Sequence, residues 1–179
     1  MNRLNLDELK DGSYGISKNI GGFLAEAALV CLHLNQHPPG TTLQVAGISD
    51  NSFILDWSDQ VTPAIVKSWK DLNEATEYGA TALAVLLIQA IAGLVVGGRV
   101  PQKEQVDYIL QSPENYRKNI IEPEAFLEVS GILTAKRGNT INMRVERKER
   151  HIQQGAKRNY PTYIIVIEFG KPKSKIAKI

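Results

Sequence analysis

Residues 79–98, GATALAVLLIQAIAGLVVGG, run for twenty positions without a charged side chain, with Glu77 just before them and Arg99 directly after. A bilayer-spanning helix needs about 20 such residues. The segment therefore either crosses a membrane or forms the central buried helix of a globular domain. Four glycines, five alanines, Thr81 and Gln89 favour the second choice. Small residues let a helix approach a sheet closely, and no cluster of positive charge follows at Arg99 to mark a membrane boundary. Gly93 is a natural helix stop. The stretch thus divides into a central buried helix, about 74–92, and an opening strand, 94–100; a membrane location is not expected.

Other elements follow from periodicity and punctuation. Ser17 can cap a helix over 18–36, whose apolar residues recur at three- and four-residue steps until Pro38-Pro39-Gly40 ends it. Residues 41–48 and 52–58 alternate like strands and meet at Ser49-Asp50-Asn51, which predicts a hairpin. Thr62-Pro63 starts a helix. It runs to about Ala92 either as one bent helix or as two joined near 72–76. Residues 94–100 and 105–110 read as a second hairpin turning at Pro101-Gln102-Lys103, Ser112-Pro113-Glu114 opens a short helix, and 125–132 is a strand. Residues 141–154 fit a helix, although Ile141, Met143 and Val145 also alternate as a strand would. Residues 162–170, TYIIVIEFG, are apolar on both faces, which suits a central strand. Residues 1–16 read as a polar lead-in and 171–179 as a frayed basic tail.

A chain of 179 residues with 43% hydrophobic and 22% charged residues fits one globular domain. The expected class is α/β (α+β), a mixed sheet flanked by helices. Residues 1–61 would add an N-terminal helix and hairpin to an α/β core at 62–170, followed by the tail. A core this apolar can also be completed by another subunit, as in a homodimer or larger assembly.

Charge is unevenly placed. Residues 1–133 carry 9 Lys and Arg against 16 Asp and Glu, and residues 134–179 carry 12 against 3. A net −7 part joined to a net +9 part points to an anionic partner such as nucleic acid, or to attraction between the two parts. The candidate cations for nucleic acid are Arg144, Arg147, Lys148, Arg150, Lys157 and Arg158. Cys31 is the single cysteine, in an apolar helical context. That excludes an intrachain disulfide framework and predicts an inert buried thiol. The polar N-terminus has no apolar run leading to a cleavage site, so a cytoplasmic location is expected. His33 and His37 share a helical spacing but have no third ligand nearby, and His151 reads as a surface residue. No phosphate loop, dinucleotide fingerprint, HExxH or GxSxG is present.

Three acids stand where acid is unexpected. Glu77 leads into the apolar helix. Asp107 interrupts the predicted strand VDYIL, and Glu128 interrupts FLEVSGI on the face it shares with Phe126 and Ser130. A carboxylate inside a strand is costly unless it is paired or binds a cation. Converging carboxylates suit a hard cation such as Mg²⁺, which takes one or two of them with water and phosphate oxygens. The order helix, three strands, helix, strand over 62–170, with an acid on the first helix, Asp on the second strand and Glu-x-Ser on the third, resembles the restriction-endonuclease-like (PD-(D/E)XK) nuclease superfamily. The resemblance implies a Mg²⁺-dependent phosphodiesterase acting on nucleic acid. Asp107 and Glu128 would be metal ligands and Glu77 an auxiliary one. Ser130 stands where the family has lysine, so Lys148 or Arg144, from the following helix, would take that role beside Ser130. The other reading is a non-catalytic α/β binding or assembly protein with a basic C-terminal surface.

Overall fold

The computed structural model describes residues 2–101, 105–120, 122–155 and 159–179. Two of the three residues of the expected Pro101-Gln102-Lys103 turn lie outside these, as do Lys157 and Arg158. Eight strands form one mixed sheet: β1 Asn2–Asn5, β2 Thr41–Gly47, β3 Asn51–Asp56, β4 Val95–Arg99, β5 Tyr108–Gln111, β6 Ala125–Ile132, β7 Thr162–Glu168 and β8 Lys173–Lys178. Their spatial order is β1-β3-β2-β8-β7-β6-β5-β4. The helices are a 3-10 helix at Leu6–Asp11, then α1 Lys18–Leu34, α2 Pro63–Ser68, α3 Leu72–Ala92, α4 Pro113–Arg117 and α5 Ile141–Gln154. The class is α+β with helices against the sheet, as the sequence predicts.

The apolar segment is core. Of all helices among the described residues, α3 alone has the length and composition to cross a membrane, and 67% of its most apolar window is buried inside the protein. It lies against α1 and the sheet, so apolar residues are needed nearly all round it. Asp71 caps it by accepting from the backbone N–H groups of Asn73 and Glu74, and Gly93, in the left-handed region at φ 69°, ends it. Of the two arrangements expected for 62–92 the chain adopts two helices, and the break falls over 69–71 and not near 72–76. Trp69 turns inward there, its indole N–H donating to Glu26 Oε1 at 2.8 Å.

Two core layers sandwich the sheet. The larger joins α1, α3 and the 3-10 helix to residues such as Leu43, Phe53, Leu127 and Ile165. The smaller joins Val145 and Ile152 of α5 to Ile132, Ile164 and Val166. Residues 141–154 are helical, Thr140 capping them. Helix α5 is the crossover between the parallel neighbours β6 and β7. All seven residues of β7 are buried.

Both ends of the chain correct the sequence reading. Residues 1–16 are not a polar lead-in: β1 pairs in parallel with β3, and Leu4, Leu6 and Leu9 are buried. The 171–179 segment is not a frayed tail. Residues 173–178 form β8, near the middle of the sheet, parallel to β2 and antiparallel to β7. Ser174 and Ile176 are buried, and Lys173 and Lys175, which alternate with them, are less so. Lysine stems can lie on apolar surface with their heads in water, so a lysine-rich strand remains compatible with an inner place.

Candidate active site

The cleft exists because β6 outruns its neighbour. Strand β5 pairs with β6 only through Tyr108↔Leu127, Ile109↔Phe126 and Leu110↔Ala125. Beyond Leu127, β6 continues to Ile132 without β5 beside it. Two cavities open at this place. One, of about 560 Å³, is lined by Asn73, Glu77, Asp107, Ser130, Arg144 and Lys148 among others. The other, of about 290 Å³, is lined by Arg99, Gln105, Asp107, Glu128, Lys148 and His151 among others. Glu77, Asp107 and Lys148 border both, so the two are compartments of one cleft.

Two close approaches bring α3 to its rim. Gly131 faces the Thr76 carbonyl so tightly that a Cβ there would overlap it. On its other side Gly79 lets α1 pack closely, though less tightly, since a Cβ there would stand 3.0 Å from the Ala28 Cα. Glu77, one residue past Thr76, is thereby carried to the cleft, where it is exposed.

Asp107 is not within a strand; it immediately precedes β5. Its backbone is nevertheless fixed on both sides, its N–H donating to Leu127 O at 2.9 Å and its carbonyl accepting from Val100 N–H at 2.9 Å. Its carboxylate Oδ2 accepts the Val129 N–H at 2.8 Å, which caps the β5–β6 ladder where pairing stops. The ladder stops at Tyr108↔Leu127, and Asp107, one residue beyond, stands near enough for its charge to act on the Glu128 carboxyl.

Glu128 carries the consequence. It is buried, and burial, then the Asp107 charge, push its carboxyl up to about 7 from an ordinary 4.5. Lys148 opposes this in part: its ammonium is ion-paired with Glu128 Oε1. One helical turn earlier on α5, Arg144 Nη1 donates to Ser130 Oγ at 2.9 Å, and its Nε donates to Asn139 Oδ1 at 2.8 Å. Ser130 is buried two residues after Glu128, on the same face. Helix α5 thus lays Arg144, Lys148 and His151 along the side of the cleft facing β6 and β5.

Of the residues expected from the sequence, Glu77, Asp107, Glu128, Ser130, Arg144 and Lys148 border this cleft or touch its lining. Arg147 and Arg150 are exposed on α5, outside both linings. Among the described residues no group of three or more His, Cys, Asp or Glu is arranged to hold a metal ion. The donors facing one another are the pair Asp107 and Glu128, two oxygen-bearing acids that suit a hard cation completed by water. Sequence reasoning did not identify Arg99, Gln105, Lys136 and Asn139 as cleft residues, and it placed His151 on the surface without a role. His151 is exposed but lines the smaller compartment. Cys31 is fully buried and its thiol is raised to about 12 by burial, which makes it inert. Comparison with protein families, curated proteins and solved structures finds no match to the chain.

Proposed function

We propose that this protein is a divalent-metal-dependent phosphodiesterase acting on nucleic acid. The observation carrying the reading is the neighbouring acids Asp107 and Glu128, which line one cleft and act on each other, with Lys148 and Arg144 supplied from its α5 side. The element order adds support. Elements α3, β4, β5, β6, α5 and β7 follow in that order, with the short helix α4 inserted between β5 and β6, and β4 to β7 lie side by side with β6 and β7 parallel. That is the arrangement implied by the resemblance to the restriction-endonuclease-like superfamily.

Asp107 and Glu128 would hold Mg²⁺, with Glu77 joining from α3. The ion would polarise the phosphoryl oxygens and acidify a bound water. The chain's own groups have distinct tasks. Glu128 gives up its proton only near neutrality, so its readiness as a ligand rises with pH through about 7. Lys148, held at Glu128, offers an ammonium beside the reacting phosphate and water. Ser130, fixed by Arg144, takes the position of the family's lysine and orients rather than ionises. Arg144, Arg147 and Arg150 supply positive charge for the strand, and Lys157 and Arg158, outside the described residues, would add to it.

A specific observation favours a second reading. Lys148 already balances the Glu128 charge, and Ser130 replaces the lysine. The chain would then be a non-catalytic binding or assembly protein with a basic surface. Cleavage assays on single- and double-stranded DNA and RNA with Mg²⁺ or Mn²⁺ decide between them. Under the first reading Asp107→Ala and Glu128→Ala each lower the rate by about a hundredfold or more, as loss of an electrostatic catalytic group does, with folding intact. Equal cleavage by wild type and variants would mean contamination. Salt-sensitive binding without cleavage would establish the second reading.

A further inference from the structure

We propose that the larger compartment is a phosphate site centred on the Arg144 guanidinium, holding the phosphate next to the scissile one in a nucleic-acid strand. The nucleic-acid context rests on the proposed function; the anion site does not.

Arg144 is half-buried, and its described hydrogen bonds go to neutral acceptors, Ser130 Oγ and Asn139 Oδ1. Among the described residues it forms no ion pair, unlike Lys148, one turn away on the same helix. A cation drawn out of water without an anion is costly. Here the cost is accepted at the lining of a cavity of about 560 Å³. Two of the guanidinium N–H groups fix its plane, and three of its five donors are left for a ligand. A planar fork held in this way matches two oxygens of a phosphate.

The surroundings divide the compartment. Lys136 and Asn139, from the turn before α5, line it with Arg144. Leu72 and Asn73, in the first turn of the 21-residue α3, line it from another side. Glu77 and Asp107 border the same space and carry the opposite sign. A strand crossing from carboxylates to guanidinium would therefore present one phosphate to a cation held by acids and a neighbouring phosphate to Arg144.

The test begins without metal. In EDTA, calorimetric titration with inorganic phosphate should show binding that Arg144→Gln weakens by about tenfold, as loss of a bidentate charged contact does. Arg144→Lys, which keeps charge but not the fork, should fall between, and Arg117→Gln on α4 should bind as wild type does. Lys136→Gln and Ser130→Ala should weaken binding by smaller factors, which keeps the test open if Arg144→Gln fails to fold. A short oligonucleotide should displace phosphate competitively. Phosphate binding indifferent to Arg144 and Lys136, or absent, overturns the site. Binding that no oligonucleotide displaces overturns its assignment to a strand. Arg144-dependent binding without any cleavage removes the nuclease reading and leaves the anion site standing; cleavage without it does the reverse.

Discussion

Replacing Glu128 with glutamine should make the protein more stable at alkaline pH. The unfolded chain loses this proton near pH 4.5 and the folded chain near 7. Between those values the folded state holds more protons, so stability falls as pH rises through 7. At about 1.4 kcal/mol per tenfold change in proton affinity, the ionised carboxylate costs the fold about 3 kcal/mol, with the Lys148 ion pair already included. Glutamine resembles the protonated acid in shape and charge. We expect Glu128→Gln to match wild type near pH 4 and to exceed it by about 2–3 kcal/mol near pH 8. At about 2–4 °C per kcal/mol for a chain of this size, the melting temperature near pH 8 should rise by about 5–10 °C. Urea unfolding in EDTA at both pH values measures the difference directly. A variant no more stable than wild type near pH 8 would refute the claim that the fold strains against this charge. Under the proposed function the same variant loses cleavage, so stability and activity move in opposite directions.

Other outcomes follow from the same geometry. Mg²⁺ at about one hundred times its dissociation constant should stabilise wild type by about 2.7 kcal/mol in thermal unfolding, and Asp107→Asn should abolish that gain. Gly131→Ala should cost about 1–3 kcal/mol in urea unfolding, because a Cβ would force α3 away from β6 at Thr76; no loss would mean that this contact is not tight. Removing residues 171–179 should abolish cooperative unfolding, since β2 and β7 lose the strand between them; a truncated protein that still melts in one sharp step would contradict the placement of β8. Cys31 should resist a thiol reagent in the native protein and react at once in urea.

The sequence made some of this plain and concealed the rest for physical reasons. Strands β6 and β7 announce themselves as apolar, β-branched runs, whereas residues 141–154 read as helix or strand until the fold shows them helical. Thr62-Pro63 and Ser112-Pro113 mark helix starts correctly, because a hydroxyl cap and a proline act locally. Strand β8 was hidden because three of its six residues, Lys173, Lys175 and Lys178, are long cations, which reads as a solvated tail. The Leu4, Leu6 and Leu9 anchors were hidden because their spacing crosses from strand to 3-10 helix and follows neither period. At the cleft, Asp107 and Glu128 stood out as acids within apolar runs. Lys136, Asn139, Arg99 and Gln105 are ordinary polar residues near turns or strand ends, and only the early end of β5 collects them around one space.

Strand β8 comes after the other seven in the chain, yet it joins β2 on one side to β7 on the other. As the polypeptide is made, β1, β2 and β3 can assemble as one incomplete sheet and β4 to β7 as another. Until β8 pairs with it, TYIIVIE stands as an open edge with unsatisfied backbone groups and no charge before Glu168. Such an edge invites pairing with another chain. Folding therefore passes through an interval of exposure that ends only when Lys173–Lys178 docks between β2 and β7.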